Sequence, residues 1–488
     1  MRVAMVLQRA SLMPLHRQIY EQWRTGILTG RFRRGERVPS TRELATTLAV
    51  SRSTVTESYE QLIAEGYLDA TQGSGTFVCH ELPDEALCPS RARITIKDEE
   101  PAIRLSRYGG GLREDFVYPE TPPGFIRFTH WRPDLERFPF ALWRKLVTRH
   151  LRGATHELYD YADLFDYAEQ SAGYEPLRRE IAAYVARSRA VRCTPEQVVI
   201  VNGSQQGLDL CVRLLLDRGD EVAFENPGYQ GARQIFQAHG ALLRPARIDS
   251  DGVVIGDLGR KTRLVYVTPS HQFPTGVSMS LARRLELIEW ARGHRGSTSK
   301  GSAIIEDDYD SEYRYSGAPL PSLQGLSRGV PVIYIGTFSK VMFPGLRIGY
   351  VVAPERLVPA LKRAKWLADR HTSLLDQAAL TDFIREGHLE RHIRRMRRLY
   401  GRRRQVLVES LARHFGALAQ VRGDAAGMHL LVKFDDDRIA ERASANKVLL
   451  MSASAYYLTK APRSEYIFGF SSIGERTIRE GVKRLAAG

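Results

Sequence analysis

The residues best able to do chemistry lie in GTFSKVMFPGLRIGY, residues 336–350, where Lys340 follows small hydroxyl residues and Arg347 stands seven positions further on. A lysine at a strand end, in a partly buried cavity, gives up its proton at modest cost and can form a Schiff base with an aldehyde. Arg347 offers a planar fork for phosphate, and Thr337 adds a hydroxyl donor. Upstream, AIIEDDYDSEYRY places Asp307 at the end of an apolar run, where a carboxylate needs a cationic or hydrogen-bonding partner to stay ionised. A protonated pyridine nitrogen meets that need, and Tyr309 is close enough to approach the neighbouring ring oxygen. In VNGSQQGLDL, residues 201–210, Gly203, Ser204 and Gln205 open a helix whose free N–H groups can hold a phosphate. ENPGYQG puts Tyr229 beyond the following strand, suitably placed to stack on an aromatic ring. Schiff-base lysine, pyridinium carboxylate and phosphate cradle are together the requirements of pyridoxal 5'-phosphate.

Residues so far apart in sequence need a sheet to gather them. The short β-branched runs VVIV (198–201), EVAFE (221–225), LVYVT (264–268), AIIED (303–307) and VIYIGT (332–337) alternate with helical segments. That alternation predicts an α/β domain around a mostly parallel sheet, with its ligand site at the carboxyl ends of the strands. After about Arg370 come a long Arg-rich helix near residues 388–414 and strands in MHLLVKF (428–434), KVLLMS (447–452) and YIFGF (466–470), which complete the domain as a smaller α+β lobe. Residues 81–124 differ: several prolines and the run Gly109-Gly110-Gly111 suit a connector. Three parts result: a reader unit over 11–80, a linker over 81–124 and the α/β domain over 125–488.

The reader is carried by RVPSTRELATTLAVSRSTVTESYEQLIAEGYLDATQGSGTFV, residues 37–78. Ser40 and Glu43 form a capping box that starts one helix, Ala49 and Val50 make a turn, and Ser51 caps a second helix that stops at Gly66. Two helices joined so tightly lay the second into the DNA major groove. Its polar start, Arg52, Ser53 and Thr54, would then face base edges and phosphates, while the hairpin tip around Gly73 forms a wing beside the backbone.

This stretch resembles the winged helix-turn-helix of the GntR superfamily, from P-S-x-R-x-L-A to E-G-Y-L-x-x-x-x-G-x-G-T-x-V, and the resemblance adds Arg42 to the DNA contacts. Residues 125–488 resemble fold-type-I aminotransferases. With both parts joined, and with TPSHQFPTG at 268–276, the chain resembles the MocR/GabR family of transcriptional regulators. That resemblance implies Lys340 as the covalent anchor of pyridoxal phosphate, Asp307 and Tyr309 at the ring nitrogen and oxygen, and Tyr229 stacked on the ring. It also implies Gly203, Ser204, Gln205, Thr337 and Arg347 around the phosphate, a homodimer, a double-stranded DNA operator, and an effector that is an amino acid or pyridoxal phosphate itself. The alternative is a working aminotransferase with an accessory DNA-binding unit.

Two departures bear on that choice. Aminotransferases place Asn directly before Pro-Thr-Gly to bond the ring oxygen, and this chain has Phe273. The arginine that clamps a substrate carboxylate lies in them on the last strand, at the position of Ile467; Arg463 is the nearby substitute.

The 488 residues carry a net charge of +15, with 60 Arg and only 11 Lys. Basicity on this scale permits a polyanionic partner without demonstrating one. It is not concentrated in the reader, where residues 1–80 hold 10 Arg against 7 acidic residues. The Arg-rich ERHIRRMRRLYGRRR, 390–404, is read as a solvated or interdomain face. Four widely spaced cysteines suit a reduced interior and no metal knuckle, and no long apolar run suggests a membrane span, so a soluble cytoplasmic protein is expected.

Overall fold

The computed structural model describes residues 5–71, 73–83, 103–112, 121–128, 132–153, 171–293, 302–317 and 320–487. They fall into two compact units, Met1–Arg104 and Leu105–Gly488. Much of the expected linker, including Pro89, Pro101 and Pro119, and Gln72 at the hairpin tip lie outside the described residues.

In the first unit, α1 (Leu15–Leu28), α2 (Thr41–Leu48) and α3 (Arg52–Ala64) precede β1 (Leu68–Thr71) and β2 (Gly75–Val78). Ser40 caps α2 by accepting from the Glu43 N–H at 3.2 Å, and the Glu43 carboxylate accepts from the Ser40 N–H at 2.8 Å. Ser51 caps α3 through the Thr54 N–H at 3.2 Å. Between the two helices the chain turns at Ala49, whose φ is 51°. Ile19, Trp23, Val55, Tyr59 and Leu62 are buried together, so the helices pack by their apolar stripes and leave the α3 start in solvent. β1 and β2 pair antiparallel from Leu68 opposite Val78 to Thr71 opposite Gly75.

The second unit begins with α4 (Arg107–Gly111). The glycine run expected in a connector is thus helical at its described end, capped by Ser106 Oγ on the Gly109 N–H at 3.1 Å. It docks on the helix Gln230–Ala238, with the Tyr108 and His239 rings 5.1 Å apart. After β3 (Ile126–Arg127), the main sheet is built from β4 (Val198–Val201), β5 (Glu221–Asn226), β6 (Leu242–Asp249), β7 (Gly252–Val253), β8 (Thr262–Val267), β9 (Ala303–Asp308), β10 (Val332–Thr337) and β11 (Gly349–Val352). Their spatial order is β4-β11-β10-β9-β8-β5-β6-β7, with β10, β9, β8, β5 and β6 mutually parallel and β11 antiparallel to both neighbours. Every residue of β4 and β10 is buried, as an unbroken apolar run requires when helices cover both faces. Helices Ser204–Leu215 and Val358–Asp369 pack on one face and Leu281–Gly293 on the other.

The smaller lobe is a four-stranded antiparallel sheet. Its strands are β12 (Ala419–Arg422), β13 (His429–Phe434), β15 (Met451–Ser452) and β16 (Glu465–Gly469), in the order β12-β13-β16-β15. The single strand expected over KVLLMS is two: β14 (Val448–Leu449) pairs with β3, then β15 pairs with β16. The chain changes sheets at Leu450, which the uniform apolar pattern of that stretch conceals. The Arg-rich helix spans His388–Phe415. Among the described residues no helix is long and apolar enough to cross a membrane.

Candidate functional site

The carboxyl ends of β4, β5, β8, β9 and β10 open onto one cavity of about 750 Å3. Ser204, Gln205, Tyr229, Asp307, Tyr309, Thr337, Lys340 and Arg347 all line it. Gly203 sits just beneath, with φ +83°, and a Cβ there would lie 2.8 Å from the Arg347 guanidinium, so only glycine leaves that guanidinium its place. Gly203 is also the N-cap of the helix Ser204–Leu215 without a side-chain cap, which leaves the first N–H groups for an anion. Arg347 is steadied by donating to the Asn202 carbonyl at 3.0 Å, beside the Thr337 hydroxyl at the end of β10. The result is a cup with backbone, hydroxyl and guanidinium donors, the set a phosphate monoester needs.

Across the cavity, Asp307 is 4% exposed. One of its oxygens accepts from the Tyr266 hydroxyl at 2.7 Å; the other is buried with no partner among the described residues. Burial pushes the carboxyl up to about 7, and the neighbouring Asp308 and Asp310 charges add to this. A cationic ring nitrogen would occupy the open acceptor and restore the charged form. Burial lowers the Lys340 ammonium from its ordinary value, while Asp310 and Asp307 pull the other way. Neutral amine near neutral pH is what attack on a carbonyl requires.

The sign of the Asp307 shift gives a test. A carboxyl whose folded value lies above its unfolded value contributes stability fully at about pH 4 and below, and loses it as pH rises through about 7. Cofactor-free protein should therefore lose stability relative to Asp307→Asn between pH 5 and pH 8, by an amount on the order of a few kcal/mol. Urea unfolding of both proteins at the two pH values measures it, and parallel profiles would refute the raised value.

Tyr309 reaches a network that sequence reasoning missed. Its hydroxyl donates to the His271 carbonyl at 2.8 Å and lies 3.0 Å from His271 Nδ1, which in turn lies 3.0 Å from Asp310. His429, 4.7 Å from His271 ring to ring, completes a buried cluster from three separate elements. Gly427 presses on it so closely that a Cβ would fall 1.9 Å from the His271 ring. Phe273 does not replace the missing Asn as a donor. It packs edge-on against Tyr229, Tyr309 and Tyr456, making an aromatic wall. Gln272 is consumed by the turn, donating to Glu225 and to the Pro227 and Phe273 carbonyls and accepting from Thr275.

Ile467 is fully buried with Phe273, Leu431 and Tyr456, so the last strand presents hydrocarbon where an aminotransferase presents a guanidinium. Arg463 does not substitute for it: it is 86% exposed before β16, paired with Asp437 at 3.6 Å, and does not line the cavity. Besides Arg347 of the phosphate cup, the arginine that lines it is Arg132, which sequence reasoning passed over. Its guanidinium has no partner among the described residues, while its carbonyl accepts from the Ser471 hydroxyl at 2.7 Å. Nearby, the buried Asp134–Arg403 pair at 2.7 Å fixes the same segment.

In the first unit Arg42, Arg52, Ser53 and Thr54 lie at the ends of α2 and α3 away from the core, Thr54 being half-buried and the others exposed. Arg52 is held by the Thr41 hydroxyl at 3.4 Å. Gly73, φ +84°, opens the β1–β2 tip. Arg37, also missed, bridges to Phe77 and lies against Gly75, extending the cationic edge toward the wing.

Residues 15–78 match the family described as bacterial regulatory proteins, gntR family, and residues 143–465 match aminotransferase class I and II. The chain is 39% identical over 486 residues to the probable rhizopine catabolism regulatory protein MocR of Rhizobium meliloti, covering 99% of this chain and 95% of that protein. It is 30% identical to the pyridoxine biosynthesis transcriptional regulator PdxR of Corynebacterium glutamicum, over 95% of this chain and 93% of that one. Among solved structures it resembles LysN, the α-aminoadipate aminotransferase of Thermus thermophilus complexed with N-(5'-phosphopyridoxyl)-L-leucine. There the TM-score is 0.68 and the identity 28%, over 78% of this chain and 96% of that chain.

Proposed function

The chain belongs to the MocR/GabR-type family of transcriptional regulators, a GntR reader joined to an aminotransferase-like domain, and on that premise we propose that it binds pyridoxal phosphate at Lys340 and reports a ligand there to DNA. The observation that carries the reading is the buried, unpartnered oxygen of Asp307 in the same cavity as Lys340 and the cup of Gly203, Ser204 and Arg347. Bound there, the group supplies an electrophilic carbon and an electron-accepting ring. The chain's own residues do the rest. Asp307 holds a positive ring nitrogen, Tyr309 faces the ring oxygen from the His271–Asp310 network, Tyr229 and Phe273 wall the ring, and Thr337, Gln205 and Arg347 hold the phosphate.

The reader contacts an operator through Arg42, Arg52, Ser53, Thr54 and the Gly73 tip, and two chains pair to meet two half-sites. The effector is an amino acid or pyridoxal phosphate itself, and only a ligand that binds two arrangements unequally can shift DNA affinity. With Ile467 apolar and Arg463 outside, an anionic group on the effector meets Arg132. In Arg132→Gln protein the visible cofactor band should persist while its response to anionic amines weakens by about tenfold, the loss expected for one charge-assisted contact. An unchanged response would remove Arg132 from the effector site.

The whole reading is tested by footprinting the protein on its own upstream DNA, with and without pyridoxal phosphate and a panel of amines. Protection that changes with one of them supports it. Vigorous, sustained keto-acid production from an amino acid would instead favour the working aminotransferase.

A further inference from the structure

The Arg-rich helix does not merely face solvent. Glu390, Ile393, Arg394 and Arg397, spaced to share one helix face, line a second cavity of about 460 Å3 that has no lining residue in common with the cofactor cavity. Its other side is formed by Arg189, Arg284 and Arg314 and by the hydroxyls of Ser188, Ser270 and Ser311.

The five guanidinium groups are not equivalent. Arg284 is fully buried and spends its donors on the Met279, Pro269 and Pro321 carbonyls, which makes it part of the frame. Arg189 is committed to Asp308 at 2.8 Å, to the Leu320 carbonyl at 2.9 Å and to Ser270. Arg397 gives one donor to the Glu312 carbonyl at 2.7 Å. The remaining two are under-used. Among the described residues the Arg314 side chain makes one hydrogen bond, a long one to Ser278 at 3.4 Å, and its Nε is buried without a partner. The Arg394 guanidinium has no partner among the described residues at all.

Four carboxylates lie among these cations: Asp308 on Arg189 at 2.8 Å and Glu306 3.7 Å from Arg284, with Glu390 and Glu312 beside the other three. Glu390 is paired with Arg187 at 3.4 Å, and Glu312 accepts from Tyr184 at 2.8 Å. Burial pushes the Glu312 carboxyl up to about 7, which weakens it as a counter-ion. Desolvation and the nearby Arg189 depress Arg314, the strain an anion would relieve. With Asp308 and Glu306 set against Arg189 and Arg284, the guanidinium groups of Arg314, Arg394 and Arg397 face only Glu312 and Glu390 among the described residues, and with three hydroxyls they border a space of small-molecule size suited to a compact oxyanion. We propose that this cavity is a second ligand site, for a small phosphate-bearing molecule, held chiefly by Arg314, Arg394 and Arg397.

The test uses the full chain saturated with pyridoxal phosphate and freed of excess. Inorganic phosphate and methyl phosphate are titrated calorimetrically against sodium chloride of matched ionic strength. The wild type should bind one equivalent of phosphate or its monoester beyond the cofactor. Arg394→Glu should weaken that binding at least tenfold with the cofactor band unchanged, since the Arg394 guanidinium bonds none of the described residues. Arg314→Gln should weaken it independently. Equal phosphate binding by wild type and Arg394→Glu, or heats no larger than those of chloride, would overturn the proposal. Because the comparison turns on Arg394, its outcome does not depend on whether Lys340 carries a cofactor.

Discussion

Lys340→Ala protein, mixed with excess pyridoxal phosphate, should show no visible band of lysine-bound cofactor, and borohydride treatment should leave no pyridoxyl adduct on the peptide containing position 340. The expected loss is complete because a covalent bond, not a contact, is removed. The Arg347–Asn202 and Tyr266–Asp307 hydrogen bonds and the open start of the helix Ser204–Leu215 are made by other residues, so the cup and Asp307 should survive the substitution. Weak, reversible binding of the free aldehyde should therefore remain and be displaced by phosphate. Ten other lysines are present in the chain, and an adduct on any of them with the band intact would refute the assignment. Rescue by added amines, which replace the missing nitrogen from solution, would place the defect in the covalent step rather than in the cup.

Arg52→Ala should weaken operator binding by about tenfold to a hundredfold, the 1–3 kcal/mol of one good base or phosphate contact. The side chain is exposed at the first residue of α3 and among the described residues hydrogen-bonds only to the Thr41 hydroxyl, so the reader's core of Trp23, Val55 and Tyr59 should be untouched. Electrophoretic mobility shifts against salt concentration separate the two roles: a phosphate contact lowers the salt dependence across all sequences, a base contact lowers specificity. Unchanged affinity would move the groove contact to Arg42 or to the wing, where Arg37 stands.

What could be seen in the sequence was what repeats or what is local. Strands β4 and β10 are legible because burial on both faces demands unbroken apolar residues, and the Ser40–Glu43 box because its partners are three residues apart. Lys340, Asp307 and Arg347 were legible because each ends or follows such a strand. The His271–Asp310–His429 cluster was not, since its members come from three elements and nothing in their spacing announces a meeting. Arg132 was hidden for the same reason: it is one arginine among 60, and only the Ser471 anchor and the folded lobe bring it to the cavity. Arg463 misled because nearness along the chain was taken for nearness in space, when the turn before β16 carries it outward to Asp437.

Strand β9 ends with two carboxylates in succession, and the pleat sends them opposite ways: Asp307 toward the cofactor cavity, Asp308 to Arg189, whose guanidinium borders the arginine-lined one. One peptide unit is thus a shared partition between two chambers. An occupant that draws Arg189 away from Asp308 would leave that charge less neutralised, next door to Asp307, and would make Asp307 harder to ionise. Crosstalk between the chambers would then need no hinge and no travelling helix, only a redistribution of charge across a single residue step.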